Sequence, residues 1–169
     1  MGLTPAISAP EPNTWRELLA ELDSKAEIRG KRVAVQEYGI TNRELLAGLE
    51  SRGAKVSRVP VYRWALPEDT GPLRLAVHRI LDAQADIVLF TNATQVDHMF
   101  QVAREEKVDQ RLPQALGRLL VASIGPVCSE ALENLGLRVD LEPDHPKMGH
   151  LISALGQRAQ ALLQAKRAQ

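Results

Sequence analysis

Short apolar runs alternate with amphipathic helical stripes five times between Arg32 and the C-terminus. This rhythm constrains the fold more than any composition value. A strand followed by a helix can return only to a parallel neighbour, so repeated βα units build a parallel α/β sheet. Arg32–Gln36, Val56–Tyr62, Asp86–Phe90, Leu119–Ile124 and Leu137–Leu141 read as the strands. Asp86–Phe90 is nearly all apolar, as expected for a strand covered on both faces. Pro60 lacks an N–H and puts its strand at a sheet edge. The predicted fold is a flavodoxin-like parallel five-stranded sheet, order 2-1-3-4-5, with helices on both faces.

Residues 1–12 hold three prolines and read as a disordered arm. Residues 13–30 read as a leading helix and connector. Thr14 (or Asn13) caps that helix, with Glu17 completing a capping box. Residues 31–166 form the α/β domain. Thr41 or Asn42 caps its first helix, and Gly53 sits where a C′ glycine belongs. Helical stripes run through Leu73–Leu81 and Val96–Val102, and from Met148 to Leu162.

Lys+Arg and Asp+Glu both total 21, so bulk charge offers no hold on nucleic acid or an acidic membrane. The lone cysteine, Cys128, excludes an internal disulfide and fits a reducing, cytoplasmic setting. Met1–Pro12 lacks a basic region followed by an apolar run, so it is not read as a signal peptide. No stretch approaches the ~20 apolar residues of a membrane span.

The chemistry is expected where strands hand over to helices. Gly125-Pro126 breaks the fourth strand, and a helix starts at Val127 or Cys128 and runs to a stop at Gly136. Free N–H groups at Gly125, Val127, Cys128 and Ser129 make an anion cradle there. Thr91, Asn92 and Thr94 follow the third strand at a second such start, where they cap the helix or bind a ligand. Gln36 and Tyr38 sit at the same predicted rim, with Asn42 and Arg43 nearby. Arg63 offers a planar fork to a carboxylate or to a surface partner. Cys128 reads as a small helix-start residue or as a thiol activated by the helix dipole. Trp64 reads as packing. Lys147 caps or binds. His145 and His150 lie on opposite sides of a helix start, and no histidine spacing suits a metal.

Taken in series, Val35-Gln36-Glu37-Tyr38-Gly39, Val59-Pro60-Val61-Tyr62-Arg63-Trp64, Phe90-Thr91-Asn92-Ala93-Thr94-Gln95-Val96, Ser123-Ile124-Gly125-Pro126 and His145-Pro146-Lys147-Met148-Gly149 resemble uroporphyrinogen-III synthase. The resemblance implies a lyase of tetrapyrrole (haem, sirohaem, cobalamin) biosynthesis. Its substrate would be hydroxymethylbilane, whose acetate and propionate arms suit anion cradles. It implies no metal and no organic cofactor. Tyr62 matches the family tyrosine near the reacting end of the substrate, whereas Cys128 stands where many members have threonine.

The resemblance covers only the later portion of the family's two lobes, and Met1 is read as the start of a truncated gene. Two outcomes follow for the fold. The strands merge into one domain, or they remain two incomplete half-lobes joined near Tyr62–Pro67. Open sheet edges in the second case invite self-association. The functional alternative is a truncated, non-catalytic tetrapyrrole-binding or interaction module. A phosphorylation receiver is discounted, since Gln36-Glu37 and Phe90-Thr91 lack its acidic cluster. No P-loop or dinucleotide fingerprint occurs.

Overall fold

The Thr14 hydroxyl accepts the Arg16 N–H at 3.1 Å, and the Glu17 carboxylate accepts the Thr14 N–H at 2.9 Å. This capping box starts helix α1, Trp15–Lys25. The computed structural model describes residues 4–39 and 41–168, so the first three residues of the expected arm lie outside the described residues. The chain divides into two units, Met1–Trp64 and Ala65–Gln169, and the division falls inside the Tyr62–Pro67 joint of the half-lobe alternative.

In the first unit α1 is followed by strand β1 (Arg32–Gly39), helix α2 (Arg43–Ser51) and strand β2 (Lys55–Arg63). Asn42 caps α2 through its side-chain oxygen, which accepts the Leu45 N–H at 2.8 Å. Past the other end, Gly53 adopts φ +80, the left-handed turn that glycine accepts without a Cβ penalty. β1 and β2 pair in parallel, with Val33 opposite Val56 and Gln36 opposite Val59. Leu19, Leu49 and Ala54 are buried between the helices and one face of this sheet, packed by Val33, Val35, Leu45 and Val56. The helices approach closely because residue 48 is Gly, where a Cβ would lie 2.4 Å from Leu19 Cδ1. Val59 and Val61 are exposed.

The second unit runs through α3 (Gly71–Leu81), β3 (Ile87–Phe90), α4 (Ala93–Glu105), α5 (Leu112–Leu116), β4 (Leu120–Ser123), α6 (Pro126–Glu133) and α7 (Met148–Arg167). β3 and β4 are parallel, with Ile87 opposite Leu120 and Phe90 opposite Ser123. Alternation along β4 sends Val121 to one core and Leu120 and Ala122 to another. The larger core holds Val77, Phe90, Val96, Phe100, Leu112, Leu116 and Leu132. The smaller packs Leu141, Leu151 and Leu155 under α7. β4 is therefore buried along its whole length, with helices on both sides.

The strands do not join into the expected single sheet of order 2-1-3-4-5. Among the described residues they form two parallel pairs, β1-β2 and β3-β4. The predicted fifth strand, Leu137–Leu141, contracts to one parallel bridge between Ala122 and Leu141. The cause is local. The Asp140 carboxylate accepts the Val121 N–H at 2.8 Å, taking a ladder donor that a strand carbonyl would need. Nor is the third strand covered on both faces, since Leu89 is 39% exposed. α6 begins at Pro126, one residue before the predicted start, because proline at N1 has no N–H to leave unpaired.

Candidate functional site

Parallel pairing of β3 and β4 makes the segments that follow them, Thr91-Asn92 and Ile124-Gly125, leave the same rim. The Ile124 N–H donates to the Phe90 carbonyl at 3.0 Å, and the Cys128 thiol approaches the same oxygen at 3.7 Å. The starts of α4 and α6 are thereby held side by side. Thr91, Asn92, Thr94, Gly125, Pro126, Val127, Cys128 and Ser129 all belong to this rim.

Most of the rim's donors are satisfied internally. Asn92 Oδ1 accepts the Gln95 N–H at 2.9 Å, and Gln95 Oε1 accepts the Thr91 N–H at 2.8 Å. The Gly125 carbonyl accepts the N–H groups of both Cys128 and Ser129 at 3.0 Å. Pro126 has none to give. The outward donor of the α6 start is therefore the Val127 N–H, on a residue 51% exposed. This cradle is narrower than the sequence predicts, because the chain tightens its own first turn.

Cys128 is buried, and burial pushes its thiol pKa up rather than down, despite the helix start and its hydrogen bonds. The activated-thiol reading fails on that desolvation. Ser129 also turns inward, donating its hydroxyl to Glu142. The loop after Glu142 seals the turn, since a Cβ on Gly125 would lie 2.8 Å from Pro146 Cβ. Gly125→Ala should therefore overpack a rigid ring and cost about 1–3 kcal/mol of stability. Thermal unfolding checks this, and an unchanged midpoint would mean the loop yields freely.

Gln36, Tyr38, Tyr62 and Arg63 belong to the first unit. Gln36 and Arg63 are exposed. Register places Arg63 opposite Gly39. The rings of Tyr38 and Tyr62 meet edge to face at 5.5 Å. Trp64 joins them, 6.0 Å from Tyr38 and 5.9 Å from Tyr62. Trp64, expected only to pack, is 40% exposed. Desolvation by these neighbours and a hydrogen bond with Tyr38 raise the Tyr62 pKa above 10.0. Its phenol thus stays protonated at neutral pH and keeps an O–H to donate.

The same strand pair carries an ion pair that nothing in the sequence pattern signals. The Arg58 guanidinium forks onto Glu37 at 2.8 and 3.0 Å and donates to Thr41 at 2.7 Å. Only position 37 among β1's polar residues is buried, and parallel register brings Arg58 within reach of it. The Arg58 hydrogen bonds hold the Glu37 carboxyl below its ordinary 4.5. The folded pKa is depressed, so this stabilisation is present above pH 4.5 and is lost as pH falls through the folded value. Glu37→Gln should lower stability at neutral pH and flatten its decline in acid. Urea midpoints across a pH series would show this, and parallel curves for both proteins would refute it.

His145 and His150, expected on opposite sides of a helix start, meet edge to face at 5.0 Å. Lys147 is the N-cap residue of α7 and makes no side-chain cap. No group of three or more His, Cys, Asp or Glu suited to a metal occurs among the described residues. No helix among them is long and apolar enough to cross a membrane. A cavity of about 200 Å³ opens beside Val121, Leu137, Arg138 and Lys166, near the start of β4 and away from the rim. Its Asp140 is already engaged by Lys166 and the Val121 N–H.

A family model described as uroporphyrinogen-III synthase HemD matches residues 1–153. A Methanothermobacter thermautotrophicus protein named "Putative uroporphyrinogen-III synthase" is 34% identical over 146 residues, 86% of this chain and 56% of its own length. The Bacillus subtilis "Uncharacterized protein YjjA" is 32% identical over 156 residues, 92% of this chain and 57% of its own. Crystal structures of uroporphyrinogen III synthase from the extremely thermophilic bacterium Thermus thermophilus share the fold. One superposes with a TM-score of 0.62 at 23% identity and another with 0.54 at 29%, each over 88% of this chain and 56% of theirs. The chain thus spans about half the length of the relatives it matches. With residues 1–153 matched by the family model, the chain belongs to the uroporphyrinogen-III synthase family.

Proposed function

We propose that this chain cyclises hydroxymethylbilane to uroporphyrinogen III, inverting the terminal ring. The observation that carries this reading is the family match over residues 1–153. The chemistry of the side chains agrees with it. Tyr62 is a neutral phenol that donates its proton to the departing hydroxyl, which leaves as water. The carbocation so formed at the methylene is captured by the substituted carbon of the terminal ring, giving a spiro intermediate. Bond cleavage and reclosure then flip that ring, and its α-carbon proton is released. Within the second unit, the Val127 N–H, half-buried Thr91 and exposed Asn92 suit a carboxylate arm; within the first, Gln36, Tyr38 and Arg63 suit one. No step calls for a metal or an organic cofactor.

The test is isomer analysis after incubation with hydroxymethylbilane. Type III product above the uncatalysed background supports the proposal. Type I product alone, from folded protein, overturns catalysis by this chain. A second reading is a non-catalytic tetrapyrrole-binding module in the cytoplasm. It is favoured by the internal pairing of most N–H donors at the α4 and α6 starts, which leaves few groups to act on a ligand. Tetrapyrrole affinity without type III product would select it, and self-association through the open edges of the two-stranded sheets would show as a concentration-dependent mass.

A further inference from the structure

Two Trp, two Tyr and two Phe make up the chain's whole aromatic complement. Three of these six, Tyr38, Tyr62 and Trp64, gather at one end of the β1-β2 pair, 74%, 44% and 40% exposed. Their mutual angles of 63–80° leave ring faces and edges open rather than stacked on one another. The seat is built into the backbone. Gly39 has φ +73, and a Cβ there would lie 2.2 Å from Trp64 Cδ1. Only glycine lets the indole rest on the end of β1 in this way. Arg63, opposite Gly39 in the register, is exposed and has no ion pair among the described residues.

We propose that Tyr38, Tyr62 and Trp64 form a platform for one pyrrole ring of the linear tetrapyrrole, with Arg63 taking a carboxylate arm of that ring. The inference rests on the tetrapyrrole reading above and adds to it the element that recognises the ring itself. Helix-start N–H groups can hold carboxylates but cannot distinguish an aromatic ring from an aliphatic chain. Aromatic edges and faces can, through their quadrupoles. Three side chains are too small a patch for a stable protein interface, which buries roughly 1,200 Å² or more. They match one small ring, and the cation beside them matches the negative arms that such a ring carries.

Fluorine-labelled tryptophan gives the test two reporters, Trp15 in α1 and Trp64 on the platform. Trp15→Phe assigns the two resonances. The probe is porphobilinogen, a monopyrrole with one acetate and one propionate arm, and glutarate is the aliphatic control. The expected result is a saturable shift of the Trp64 resonance with porphobilinogen, none with glutarate, and an unmoved Trp15. Tyr38→Leu keeps apolar bulk and removes a ring, and should weaken binding roughly tenfold. Arg63→Gln should weaken it too. An unmoved Trp15 resonance in each variant shows that the first unit still folds.

The inference is overturned if Trp64 shows no saturable shift, if glutarate shifts it equally, or if Tyr38→Leu binds like the parent. Its failure is separable from that of catalysis. A Trp64 response without type III product removes the enzyme and keeps the platform. Type III product with a silent Trp64 does the reverse.

Discussion

Tyr62→Phe should lower the rate of type III product by about 10²-fold or more, the span of a lost general acid. The substitution removes one oxygen. It leaves a ring that can keep its contacts with Tyr38 at 5.5 Å and Trp64 at 5.9 Å, so folding should be nearly unchanged. The parent's Tyr62 stays protonated well above neutrality because its pKa is raised, so its acid function should persist into alkaline solution. Loss in the variant should therefore be similar at neutral and mildly alkaline pH. Isomer-resolved kinetics of both proteins across pH would measure this. A variant as fast as the parent would strip Tyr62 of any proton-donating role and leave it only a ring.

Phe90→Ala should cost about 3–5 kcal/mol of stability, the usual toll for emptying a buried aromatic site. Phe90 is 1% exposed and sits in the larger core, while its carbonyl ties the start of α6 to the end of β3. Removing the ring leaves a cavity beneath both helix starts. Both tryptophans and both tyrosines lie in Met1–Trp64, so near-ultraviolet signals report on that unit. Urea unfolding followed by the far-ultraviolet helical signal is the measurement for Phe90. Phe90→Leu keeps most of the volume and should cost less than about 1.5 kcal/mol. If Phe90→Ala lost no more than Phe90→Leu, the ring would not be packed as the structure has it.

Local chemistry was legible residue by residue. The capping box of Thr14 and Glu17, the Asn42 and Asn92 caps and the Gly53 stop depend on contacts a few residues apart, and the structure has each of them. The rim formed by Thr91 and Gly125 was legible too, because parallel strands share a carboxyl end. Donor accounting was not. Whether the N–H groups of Cys128 and Ser129 face outward depends on how tightly Gly125 closes the turn, and on Pro146 lying above it. Likewise the pairing of Glu37 with Arg58 spans a register that no periodicity states. Trp64 looked like packing because a bulky apolar residue after a strand usually is.

By itself the sequence determined the order of β1 to β4 and of the main helices among them, the caps and stops set by near neighbours, and the family. These follow from short-range sterics, hydrophobic period and motif order, all written along the chain. Only tertiary structure decided how strands pair, which donors remain free, and that three aromatic rings share one exposed surface. Such properties depend on groups far apart in the chain meeting in space. A single carboxylate such as Asp140 can then take the place of a strand's hydrogen bond.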